Sequence, residues 1–485
     1  MNHMKSSESH LRLGFSRAEI TPPVGIYHRM WGAARHDRAT GIHRPVYGDV
    51  MVLGATGSPP GDLMIRANLD LVGLVNYQHD ALLEALCEGV GGAVCADQVT
   101  VTYSHTHSSG WFVPDRFELP GGELIEPYLA EVGGKLRQAC REAVSGMREV
   151  VISYARGQCS MAANRDFWDG ELEGYACGFN PDGVADGEVV VGRIADADGN
   201  TVGSLVHYAC HPTTLAWENT KISPDFVGAL REEVERVTGA PCTFMQGACG
   251  DLGPRRGLVG DPEVADANGR ELAYAALSAL TSLGTPATDF RYSGPVVSGA
   301  TLGTWAPMPL SAERVERVRR FAGGAYTVDQ PCKSGMDRGE LAAELESWLA
   351  RQKEAETRED AIEARDCRAR AERARRWLGR LDDLKLSPGK GYPLRFSVHL
   401  LGDAVWCTCG GEPYNLIQRE LRGRFPELTV LLSPLAGDLQ VAYMLPRDRY
   451  GKGLYQEEPS CLAPGCLEQL IEAMAERIEE VCAGD

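Results

Sequence analysis

Apolar residues along this chain follow two rhythms. Short runs such as "DVMVLGA", "LMIRANLDLVGL", "QVTVTYSH" and "REVVISYARG" read as strands, while "HDALLEALCEGV" and "YLAEVGGKLRQACREAV" repeat apolar positions at helical spacing. Their alternation predicts an α/β fold with a mixed β-sheet core flanked by helices. Further strands are expected in "EVVVGRIADADGNTVGSLVHYACHP" and "PCTFMQGACG". "SPDFVGALREEVERVTG" reads as a helix with Ser223 as N-cap and acidic residues in its first turns, and "PEVADANGRELAYAALSALTSL" as another. Between these blocks, "ANRDFWDGELEGYACGFNPDGVADG" is rich in Gly, Asp and aromatic residues. A loop of that length points to function, such as covering a cleft.

From 311 to 386 the composition shifts to Arg, Glu and Ala at helical spacing, as in "ELAAELESWLARQKEAETREDAIEARDCRARAERARRWLGRL". This is expected to be a helical insertion, a charged hairpin with a solvated face. Strands resume at "YPLRFSVHLLGDAVWCTCGGE" and "LTVLLSPLAGD", and "CLEQLIEAMAERIEEVC" is a last helix. Residues 11–485 are expected to form one domain around the insertion, and residues 1–10 a disordered N-terminus.

Composition adds exclusions. Acidic residues outnumber basic ones 67 to 49, a net charge of -18 that disfavours nucleic acid as a partner. No apolar window reaches the roughly 18 residues of a membrane span, and "MNHMKSSESHLRLGFSR" lacks the apolar core of a signal peptide, so a cytoplasmic location is expected. The 15 cysteines are scattered without zinc-ribbon spacing and fit reduced thiols.

Candidate chemistry begins at "SHTHSSG". Side chains two apart on a strand share a face, so His105 and His107 can converge on one point, as metal ligands or as hydrogen-bonded loop histidines. His207 and His211 in "SLVHYACHPTTL" are a second pair, and Pro212 biases His211 towards extended backbone.

In its landmarks the chain resembles the neutral ceramidases, zinc-dependent amide hydrolases. "LGFSRAEITPPVG", "ATGIHRPVYGDVMVL", "IRANLDLVGL", "SHTHSSG", "ANRD", "GFNPDG", "ISPDFVGA", "FMQGACGDLGP", "GGEPYN" and "VAYMLPRDRYGKGLYQEE" fall in that family's order. The resemblance implies a ceramidase-like catalytic domain holding one Zn²⁺ per chain, with His105, His211, Glu412 and Tyr443 as metal ligands. It also implies that His107, Arg165 and Tyr455 line the site and contact the reacting amide. Two imidazoles, a carboxylate and a phenol leave zinc room to acidify a water molecule, whose hydroxide attacks the carbonyl.

The departures concern substrate. Where ceramidases carry a serine in a "GD-hydrophobic-SP" turn, this chain reads "GDLGPRRG", so Gly253 offers no hydroxyl for attack or hydrogen bonding. Arg255 and Arg256 follow, either as guanidinium partners for a substrate anion or as residues of a solvated turn. Gly253 and Arg255 are therefore expected to contact substrate. The reading is a zinc-dependent amidohydrolase cleaving a linear non-peptide amide of a small polar metabolite, with zinc-bound water as nucleophile. Alternatives are a ceramidase, an inactive ceramidase-like binding protein, and barrel or H-x-H-x-D-H metallohydrolases whose further ligands are missing here. A small-molecule amide is the expected partner, and a homo-oligomer stays open.

Overall fold

Burial on both faces explains the unbroken apolar runs. In the strand Tyr47–Gly54, Val50 and Val52 belong to one core cluster while Met51 and Leu53 belong to another. Likewise, in Glu188–Ala195, Val189 and Val191 face away from Val190. The computed structural model describes the chain apart from residues 1, 2, 5, 58–62, 93, 334–336, 386–390 and 485.

These strands belong to an eight-stranded sheet in the order Cys242–Gln246, Thr201–Tyr208, Glu188–Ala195, Arg148–Gln158, Ser7–Glu19, Tyr47–Gly54, Leu63–Leu69, Val99–Tyr103. The two outermost pairs are parallel and all others antiparallel, giving the mixed sheet that the sequence predicted. It curls until Cys242–Gln246 at one edge approaches Leu63–Leu69 and Val99–Tyr103 at the other. Helices Ile125–Ser145, Phe226–Thr238 and Pro262–Thr281 cover its outer face. A second sheet, ordered Phe321–Pro331, Gly391–Leu401, Ala404–Cys409, Thr429–Ser433, packs on the inner face. Between the sheets lies Trp406, with the buried Arg66 guanidinium 5.4 Å from its ring. Helices Leu416–Arg424 and Cys466–Ala483 close the far side, giving four layers.

The structure corrects three local expectations. Residues 7–10 are not a disordered tail, because the strand Ser7–Glu19 starts there with Glu8 and Ser9 buried. Backbone N–H of Glu8 donates to Asp403 Oδ2 at 3.0 Å. Residues 1, 2 and 5 of that tail lie outside the described residues. The segment 311–386 is not helical throughout. It holds helix Ala312–Val318, the strand Phe321–Pro331 paired with Gly391–Leu401, and a hairpin of helices Arg338–Thr357 and Ala361–Leu384, while residue 386 lies outside the described residues. Ser223 is not the N-cap of Phe226–Thr238. Asp225 takes that place, accepting from Phe226 N at 2.7 Å, and the first turn holds no acid. Ser223 Oγ instead accepts from Asp225 N. Among the described residues no helix is long and apolar enough to cross a membrane.

Candidate active site

Three parallel strand pairs end at one place, and the candidate residues sit just beyond their carboxyl ends, where open α/β sheets present their loops. His105 follows Val99–Tyr103, His211 follows Thr201–Tyr208, and Glu412 follows Ala404–Cys409. Glu412–Pro413 then pairs in parallel with Tyr443–Met444, setting Glu412 opposite Tyr443.

The convergence of His105 and His107 does not come from strand alternation. The strand ends at Tyr103, and His105 turns the chain with φ 67°. Ring centroids are 4.9 Å apart for His105–His107, 4.5 Å for His105–His211 and 5.1 Å for His107–His211. Their ligating nitrogens lie within 4.8 Å of one another. His105 Nδ1 donates to the Val72 carbonyl, and His211 Nδ1 donates to the Cys249 carbonyl at 3.3 Å. Each bond fixes a tautomer that turns the Nε2 lone pair inward. Glu412 Oε2 stands 3.2 Å from His105 Nε2 and 3.7 Å from His211 Nε2.

This donor set fits a metal ion. His211 Nε2 and Glu412 Oε2 are buried with no hydrogen-bond partner among the described residues. Leaving such atoms dry costs about 1–3 kcal/mol each, and a cation among them removes that cost. Burial, then the nearby Arg165, His105 and His107, hold His211 well below the ordinary histidine value, and burial does the same for His107. Both are neutral, as ligands require. Burial would raise Glu412, but His105 and Arg165 outweigh it and keep the carboxyl below its usual value. Burial and Glu412 push the Tyr443 phenol up, against Arg165.

Arg165 is buried, with Nε and Nη2 donating to the Gly250 carbonyl at 3.2 and 2.7 Å and its guanidinium 5.3 Å from the Tyr443 ring. Tyr455 stands at the rim, 53% exposed, its ring edge-on to Tyr443 at 5.9 Å. Gly253 lies on the cavity wall, where an added Cβ would be 3.7 Å from Thr213 Oγ1 and 3.8 Å from Arg165 Cδ, ordinary contact distances. Arg255 also lines the cavity, but its guanidinium bonds Ser160 Oγ and sits 3.6 Å from Glu271, while Arg256 is not among the lining residues. His207 stays out of the site. It is buried in its strand, donating through Nε2 to Leu432 O and facing Arg422 through Nδ1.

Two groups of residues escaped sequence reasoning. "FMQGACGDLGP" works through its backbone: Cys249 O orients His211, Gly250 O holds Arg165, and Asp251 accepts from Asn415 N at 2.6 Å, beside Glu412. The other is the arginine stripe Arg373, Arg376 and Arg380, which the helix Ala361–Leu384 sets on the wall of a cavity of about 500 Å³. Its signal was the three-then-four spacing of the arginines within "RARRWLGR".

Residues 11–257, just over half of the chain, match the family model described as neutral/alkaline non-lysosomal ceramidase, N-terminal. The chain belongs to this ceramidase family. Neutral ceramidase of Pseudomonas aeruginosa is 26% identical over an alignment of 271 residues that covers 51% of this chain and 37% of that protein. The match therefore spans little more than a third of the length of this curated relative. The crystal structure of neutral ceramidase from Pseudomonas aeruginosa superposes with a TM-score of 0.64 at 17% identity, covering 97% of this chain and 75% of that one. A ceramidase solved in complex with C2 gives the same score and identity over 76% of its chain. The ceramidase fold therefore extends over nearly the whole chain, beyond the matched 11–257 to the segments carrying Glu412, Tyr443 and Tyr455.

Proposed function

We propose that this chain is a zinc-dependent amide hydrolase acting on a C–N bond other than a peptide bond. The observation that carries this reading is the pair of unpartnered buried atoms, His211 Nε2 and Glu412 Oε2, facing histidines whose tautomers are fixed. His105, His211, Glu412 and Tyr443 hold the ion. When bound, zinc supplies a Lewis acid and a water acidified to a pKa of about 7.

The chain's own groups do the rest. Arg165, anchored through the Gly250 carbonyl, sits where it can donate to the amide oxygen as charge develops on it. His107, whose Nε2 lies 3.3 Å from His105 Nε2, stands beside the cluster, where it can pass a proton to the leaving amine. Trp31, 5.3 Å from the His107 ring and 6.1 Å from Trp217, makes the apolar side that receives the acyl chain. Gly253 offers no hydroxyl, so no acyl-serine forms there, and a water acidified by a bound zinc would be the nucleophile.

Metal analysis of the purified chain tests the reading, with about one zinc per chain expected and none sinking it. His107→Ala distinguishes the ligand sets: metal retained supports Tyr443 as a ligand, and metal lost supports three histidines. The second reading is ceramide itself as substrate, favoured by the family match. A hydrolysis screen over amides of differing acyl length and charge, ceramide included, separates the two. If ceramide alone is cleaved, the polar-substrate reading falls.

A further inference from the structure

The cavity has a charged wall that the amide chemistry does not use. Its lining holds five arginines (Arg165, Arg255, Arg373, Arg376, Arg380) against two glutamates, of which Glu412 faces the histidines. This basic lining runs against a chain whose net charge is -18. Three of the five arginines come from one helix at three-then-four spacing, where like charges repel.

Arg373 is compensated, meeting Glu344 at 2.5 Å and Glu458 at 3.8 Å. Arg376 and Arg380 are not. Among the described residues neither makes a hydrogen bond or an ion pair, and Glu372, one turn before Arg376, is engaged by Arg29, Arg116 and Arg368. Arg380 is only 9% exposed, its Nε has no partner, and its guanidinium lies 5.0 Å from the Trp377 ring. Arg380 is buried and Arg376 half-buried, and a guanidinium held from water without an anion is costly, so the pair calls for one.

We propose that Arg376 and Arg380 form an anion subsite, so that the substrate is an N-acyl amide carrying a carboxylate or phosphate remote from the scissile bond. The subsite rests on the amidase reading for its substrate, though not for its ability to bind an anion. Tyr455 and Tyr443, ring to ring at 5.9 Å, lie on the same cavity between the histidines and this wall. The guanidinium fork suits either anion through paired hydrogen bonds. An uncharged amide would bury both arginines further with nothing to meet them.

The test uses the full-length, zinc-loaded chain and matched N-acyl amides that differ only in a remote neutral, carboxylate or phosphate group. An anionic amide should exceed the neutral one in kcat/KM by about 10- to 100-fold, as expected for a charge-assisted pair. Arg376→Gln should lower that ratio by a similar factor, Arg376→Lys should keep part of it, and Arg370→Gln, exposed and outside the cavity lining, should leave it unchanged. Equal kcat/KM for charged and neutral amides, unmoved by Arg376→Gln, would overturn the subsite. Calorimetric binding of glutarate and of inorganic phosphate is the arm that does not need hydrolysis. If no amide is cleaved but one of these anions binds the parent chain and not Arg376→Gln, the subsite stands and the amidase reading falls. Cleavage of amides with neither anion bound sinks the subsite alone, and the better-bound anion identifies the substituent.

Discussion

The two walls of the cavity are built on different principles. The inner wall, with His105, His211, Glu412 and Arg165, hangs from strand ends, and backbone carbonyls fix three of its four side chains. The outer wall is a helical hairpin in which Arg338–Thr357 buries only Ala355 and Ala361–Leu384 buries one face. Its arginines reach the cavity as side chains on one helix. Residues that must hold an ion to tenths of an ångström are placed by the sheet, whereas residues that select among substrates ride on an element that can vary without disturbing it.

Substitutions should divide along that line. The largest effect is expected at the inner wall: His105→Ala or His211→Ala should remove the metal and lower kcat/KM by more than about 1,000-fold, beyond the loss of one oxyanion donor. Metal analysis and turnover check both, and an active metal-free variant would break the contrast. Arg165→Ala should come next, with kcat down about 100-fold and the metal retained.

Acid should sharpen the contrast through stability, because the hairpin holds no histidine while the rest of the chain buries several. Burial, reinforced by Arg395 and Arg422 respectively, pushes His79 and His207 down to about 3 from the ordinary 6.5. The folded values lie below the unfolded one, so the unfolded chain binds more protons in between. Stability is therefore full above about pH 6.5 and falls by about 1.4 kcal/mol per pH unit per histidine as pH drops towards 3. The urea midpoint should fall below pH 6, and His207→Gln should flatten the slope. A midpoint indifferent to pH would show that these rings are not held neutral. The smallest change is expected for Gly253→Ser, which has room for its side chain and should shift stability by no more than about 0.5 kcal/mol in thermal unfolding.

Much of this was legible because it lies in side-chain chemistry. The short apolar runs announced strands, the paired histidines stood out by residue type, and Glu412 was reached only through the family resemblance. What was illegible has physical causes. Glu8 and Ser9 look like a polar tail but are buried, with Asp403 and Leu401 supplying bonds that no local pattern reveals. Phe321–Pro331 hides its strand in "FAGGAYTVDQP", half-exposed and rich in small residues, so pairing with Gly391–Leu401 decides its conformation rather than propensity. Ser223 and Asp225 are both good caps, and only the chain reversal at Asp225, with φ 56°, chooses between them. Carbonyls such as Cys249 O carry no residue signature, and Arg376 reads as one more charge on a solvated helix until the cavity beneath it is seen.

One oxygen ties the rim to the interior. The Gly250 carbonyl accepts from Arg165 and also from Gln456, the residue after Tyr455, whose amide reaches on to Asp166. A chimera that exchanged only the helical hairpin with a relative would keep Tyr455 moored in its present pose. Re-tailoring this entrance therefore means transplanting the 455–458 turn together with the hairpin, as a single cassette.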